Sequence, residues 1–173
     1  SFEVYKVRSL LQHSGPPHPT FMFRASFLQN NNIRYREDIL KAQDYGIMAD
    51  ILKAGGIISR LNEPLLRYRV HKGQISMKSE MEQIAYQCRV SYDFISAEFP
   101  CLSEPERACI STLGSYKHLT DIVTAVEDHA TLADTCRYLI RNREYLDMPQ
   151  VYISAIKKMV KYNDVHNEYV SHK

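Results

Sequence analysis

The stretch Glu63-Pro64-Leu65-Leu66-Arg67-Tyr68-Arg69-Val70-His71-Lys72-Gly73-Gln74-Ile75-Ser76 carries the densest chemistry in the sequence. Read as a β-strand, it puts Leu66, Tyr68 and Val70 on one face and Arg67, Arg69 and His71 on the other. The first face suits a core. The second presents two permanent cations and an imidazole that can take a proton or a metal, which fits an anion such as a diphosphate with its cation. The same pattern also describes an ordinary solvated strand face. Asp44 is a second candidate. It falls three residues before Ile47 and four before Met48, in line with the apolar stripe of an expected helix. A carboxylate in a first helical turn is favoured by the helix dipole, and it can act as a proton acceptor or serve simply as a first-turn cap.

These groups need elements to hold them. Residues 1–12 have a weak helical or extended pattern, and the prolines of His13-Ser14-Gly15-Pro16-Pro17-His18-Pro19 make a rigid loop. Thr20 to Phe23 reads as a short buried strand. Ala25 to Gln29 reads as a short helix that Asn30-Asn31-Asn32 ends. Ile33 to Leu40 is a loop with Tyr35 as its anchor. A helix begins near Ala42, buries Ile47, Met48, Ile51 and Leu52, and stops at Gly55-Gly56. Gly56 to Leu61 is expected as a strand, and Asn62-Glu63-Pro64 turns it into the Arg/His strand as an antiparallel pair.

From about Met77 the period of the apolar residues becomes helical. Met81, Ile84, Cys88, Tyr92, Ile95 and Phe99 mark one helix, closed by Pro100. Ser103-Glu104-Pro105-Glu106 is a capping box that opens a helix with Cys109, Ile110 and Leu113. Leu119, Ile122, Val123 and Val126 mark another, and Leu132, Cys136, Leu139 and Ile140 a fourth. Asp147 to Gln150 caps the last helix, with Val151, Ala155, Ile156, Met159 and Val160 inward. The expected fold is α+β and mostly helical: a sheet-bearing part over residues 1–77 and a helical extension over residues 78–173. His118, His129, His166 and His172 fall on polar helical ground and read as solvated.

Composition narrows the function classes. The 173 residues are 45% hydrophobic and 24% charged, as in an ordinary globular chain. A net charge of +2 provides no basic footprint for nucleic acid. No apolar run reaches the roughly 18 residues of a membrane span, and the first residues lack the basic start and apolar core of a leader. Cys88, Cys101, Cys109 and Cys136 form no CxxC pair and read as small buried thiols in a reducing compartment.

One ordered set of motifs goes further. His18-Pro19-Thr20-Phe21-Met22-Phe23-Arg24, Tyr35, Ala42-Gln43-Asp44-Tyr45, Gly55, and Pro64-Leu65-Leu66-Arg67-Tyr68-Arg69-Val70-His71-Lys72-Gly73-Gln74-Ile75-Ser76 follow one another with natural spacing. Together they resemble the second half of the catalytic domain of family 2 glycosyltransferases, the inverting GT-A type of bacterial surface-glycan enzymes. The resemblance covers roughly residues 15–77, and the helical tail resembles the variable C-terminal extensions of such enzymes. It implies that Asp44 is the catalytic base, that His71 helps to hold a divalent metal (Mg or Mn) and the diphosphate, and that Arg69 and Ser76 lie near the donor phosphates. His18 and Gln43 are then acceptor-side or structural. The sequence departs from the pattern at Gln43, where Glu is commoner, and at Gly46 and Asp50, where the family usually has an acidic and a basic residue.

The resemblance also implies what these residues lack. The family's nucleotide-binding half, with its Asp-x-Asp metal site, does not occur in them. The expectation is the C-terminal part of an enzyme that moves a sugar from a nucleotide-sugar donor to a glycan or lipid-linked acceptor with inversion. Alone it is expected to be inactive, without bound metal, and associated with copies of itself through the uncovered sheet. Its expected location is the cytoplasm or the inner face of the membrane. Two other classes stay open: a helical protein-interaction module, and a phosphate-binding domain without catalysis that uses the Arg67, Arg69, His71 face.

Overall fold

A computed structural model of the chain describes residues 16–67, 69, 80–115, 131–144, 146 and 148–171. Six α-helices occur among them: α1 (Ala25–Asn30), α2 (Gln43–Lys53), α3 (Glu80–Glu98), α4 (Glu104–Ser111), α5 (Leu132–Arg141) and α6 (Gln150–Ser171). Short 3-10 turns lie at His18–Thr20 and Leu113–Ser115. The helix expected around Leu119 to Val126 and the cap expected at Asp147 lie outside the described residues.

The first two helices end in the same way. Past α1, the Asn32 amide bonds Gln29 O and the Ile33 amide bonds Leu28 O. Past α2, the Gly55 amide bonds Leu52 O and the Gly56 amide bonds Ile51 O. Both are Schellman turns, which satisfy the carbonyls a helix end leaves over and need one left-handed residue. Asn32 (φ 53°) and Gly55 (φ 75°) supply it. Gly56 is fixed by space instead: a Cβ there would sit 2.5 Å from Ile51 Cγ2 and 2.8 Å from Ile51 O.

The tail helices follow their apolar periods and their caps. At the start of α4 the Glu106 carboxylate accepts from the Ser103 amide at 2.9 Å and from its hydroxyl at 2.8 Å. Lys158 of α6 adds an ion pair to the same carboxylate at 2.7 Å. A second capping box opens α5, where Thr131 Oγ1 accepts from the Asp134 amide and donates to its carboxylate. Helix α2 packs on α3, α3 on α4, α4 on α6, and α5 on α6. A single apolar core runs through them, from Ile39, Tyr45, Met48 and Leu52 to Phe94, Ile95, Ile110, Leu139, Ile156 and Met159. Along α3 the buried set is shifted from the expected stripe. Ile95 and Phe99 of that stripe are buried as expected, but Val90 and Phe94 join them while Met81 is exposed. Cys101 is exposed rather than buried.

The expected sheet is absent from the described residues. Thr20 ends a 3-10 turn and Phe21 to Phe23 continue without a ladder, as do residues 56–61. Tyr68, Val70 and His71 of the third expected strand lie outside the described residues. An extended segment becomes a strand only when a neighbouring backbone takes up its N–H and C=O groups. Here the apolar side chains meant for a sheet face outward: Met22 is 94% exposed, Ile57 81%, Leu61 72% and Leu65 71%. The mostly helical part of the expectation holds, and its sheet is corrected, among the described residues, to extended connections, which do not match a sheet-bearing GT-A half. No helix among the described residues is long and apolar enough to cross a membrane.

Candidate functional site

Asp44 is the second residue of α2. The residue before the helix, Ala42, has no side chain with which to cap it. Asp44 partly fills that role, since its Oδ1 accepts from the Tyr45 amide at 2.9 Å. The carboxylate is half-buried, and Oδ2 has no hydrogen-bond partner among the described residues. One oxygen is thus held in place and the other is left for a ligand.

Two further residues of the motif set meet at this corner. His18 Nε2 lies 2.7 Å from the Tyr35 hydroxyl, and their rings tilt together at 5.5 Å. Phe21 meets His18 edge-on at 5.3 Å and Phe23 meets Phe21 likewise at 5.6 Å. Partial burial, and then the negative charge of Asp44, push the Tyr35 phenol above its ordinary value. The phenol stays protonated at neutral pH, and which partner donates in its bond to His18 depends on the histidine tautomer. Residues 17 positions apart are joined by a hydrogen bond, and the second of them lies in the field of Asp44.

What holds the Tyr35 loop is an ion cluster. Arg36 reaches Asp93 of α3 at 2.9 Å and Asp38 at 3.2 Å, and Arg89 of α3 reaches Asp38 at 2.6 Å. Two arginines and two carboxylates thus tie the loop to the helical part. Gly46 of α2 faces the same surface: a Cβ there would be in ordinary contact with Ile39, Val90 and Arg36 at 3.9–4.0 Å.

Gln43 is the exposed first residue of α2, and Arg67 and Arg69 are exposed. His71 and Ser76 lie outside the described residues. Among the described residues no group of three or more His, Cys, Asp or Glu could hold a metal ion. Sequence reasoning treated Tyr35 only as an anchor and missed the ion cluster. Its local signal was the charge alternation of Arg34-Tyr35-Arg36-Glu37-Asp38 in a loop, but Arg89 and Asp93 are distant in sequence and carry none.

No protein-family model, no curated protein and no solved structure matches this chain.

Proposed function

We propose that this chain carries the acceptor side of an inverting glycosyltransferase, with Asp44 as the general base. What supports the reading most is the hydrogen bond between His18 and Tyr35 together with the influence of the Asp44 charge on the Tyr35 phenol, which link three segments that the motif order spreads apart. In the proposed step Asp44 Oδ2 takes the acceptor hydroxyl's proton while that oxygen attacks the anomeric carbon of a nucleotide-sugar, and the nucleoside diphosphate leaves with the bond electrons. The fixed Oδ1 orients the carboxylate, and Tyr35, held by His18, lines the approach. The donor half of the reaction belongs to residues beyond this corner: a nucleotide-binding part with its own metal ligands, and the Arg69, His71, Ser76 stretch near the phosphates. That part would cover Met22, Ile57, Leu61 and Leu65, whose exposure leaves room for it. Without it the chain transfers no sugar and buries the same surface against a second copy. The reading puts the enzyme in the cytoplasm or at the inner face of the membrane.

The test is Asp44→Asn in the polypeptide expressed with its upstream coding sequence. Turnover falls by roughly a hundredfold or more, the usual scale for a general base, while the KM for the nucleotide-sugar is unchanged. Turnover within a few fold of the parent leaves Asp44 as a first-turn cap for Tyr45 and overturns the reading.

A further inference from the structure

Between the turn that ends α1 and the last turns of α2 runs an open groove of about 510 Å³, within the roughly 300–1,000 Å³ range of small-ligand sites. Asn31, Asn32, Arg34, Tyr35, Asp50 and Lys53 line it. Tyr35 is therefore shared: its hydroxyl is bonded to His18, and it also lines the groove. The lining mixes two amides, which both donate and accept, with an aromatic ring and the apolar Ile33 and Ala54. That mixture suits a sugar, whose hydroxyls need both kinds of partner and whose C–H face packs on a ring. The Asn31 amide is already oriented, since its nitrogen donates to Phe27 O at 2.9 Å.

The charges in the groove are unequal. Lys53 is paired with Asp50 at 2.7 Å and Arg36 with Asp38 and Asp93. Arg34 forms no ion pair among the described residues. A ligand filling the groove would strip water from Arg34, which is unfavourable unless the ligand brings an anion. We propose that the groove binds a short saccharide carrying a carboxylate or phosphate opposite Arg34. Given the transferase reading, on which only this assignment rests, that saccharide is the part of the acceptor beyond the reacting sugar.

The experiment is an NMR titration of the isotope-labelled 173-residue chain with glucose, glucuronate, glucose 6-phosphate and inorganic phosphate. At least one of the two sugar acids should shift the amides of residues 31–36 saturably, and the tighter of them tells whether the anion is carboxylate or phosphate. Glucose and inorganic phosphate should each bind roughly tenfold more weakly. The exposed Arg34→Gln should weaken the sugar acid by a similar factor while leaving glucose unchanged, and Arg34→Lys should restore part of it. Equal binding by inorganic phosphate shows a plain anion site and overturns the proposal. So does equal binding by glucose, an unaffected Arg34→Gln, or no shift with any probe. Because the readout is binding, failure here with transfer intact removes the groove alone. Saturable acid-sugar binding with no transfer removes the transferase reading alone.

Discussion

Residues 16–67 and the helices from α3 onward solve the same problem with different completeness. In the helical part nearly every apolar stripe meets another: α3 is covered by α2 and α4, and α5 and α4 are covered by α6. The starts of α4 and α5 are closed by capping boxes, one of them locked to Lys158 across the bundle. In residues 16–67 the core takes in α2, Ile39 and Ala42, with Ile58 half-buried against it, while the extended pieces leave Met22, Ile57, Leu61 and Leu65 in water. The difference shows how each kind of element finds its partner. A helix satisfies its own backbone and needs only a packing surface; an extended segment needs another backbone as well. The candidate site sits where the two regions touch, at the start of the one helix of residues 16–67 that both share.

The largest effect should separate the regions outright. Phe94→Ala removes a fully buried ring and should cost roughly 3–5 kcal/mol in denaturant unfolding. Leu61→Ala, at an exposed position, should stay within roughly 0.5 kcal/mol. Similar costs for the two would mean that residues 56–61 are packed in solution and would break the comparison.

Next comes Gly56→Ala. The added methyl meets Ile51 backbone oxygen at 2.8 Å, so α2 or the chain after it must shift, at roughly 1–3 kcal/mol. This tests whether α2 is anchored at its end as firmly as the tail helices are at their starts.

Glu106 gives a pH signature to the tail. Its bond from Lys158, followed by that from the Ser103 amide, holds its carboxyl at about 2, against about 4.3 in an unfolded chain. The unfolded state therefore takes up the proton first as pH falls. The stability Glu106 contributes is full above about pH 4.3 and is lost as pH drops toward about 2. Glu106→Gln should lower stability by about 1–2 kcal/mol at neutral pH and flatten the acid limb of the unfolding curve. An acid limb identical to the parent's would remove this ion pair from the account.

The smallest effect on stability, but a clear one on association, is expected from Leu65→Asp. The exposed apolar surface should make the isolated chain self-associate, and a charge there should shift sedimentation toward the monomer. Unchanged sedimentation would show that this face is not what the copies bury.

Much of the helical architecture was legible because its signals are local. The Asn30-Asn31-Asn32 stop, the Gly55-Gly56 stop and the Ser103/Glu106 box each act within a few residues. The Thr131/Asp134 box has the same spacing and could have been read in the same way. The sheet was misread because alternation describes a segment and says nothing of whether another backbone lies beside it. At the site, Asp44 could be placed at a helix start from the stripe it shares with Ile47 and Met48. Its neighbours could not: the bond from Tyr35 to His18 and the tie from Arg36 to Asp93 join distant positions, and only the folded chain brings them together.

The measurement that tests the central claim most directly is the stereochemistry of transfer. The polypeptide with its upstream coding sequence is given an α-linked nucleotide-sugar and an acceptor, and the anomeric proton of the first product is followed by NMR. The account predicts a β-linked product from the parent and almost none from Asp44→Asn, because a single displacement needs a base on the acceptor and inverts the centre. An α-linked product, or a β-linked product formed as fast by Asp44→Asn as by the parent, would contradict it.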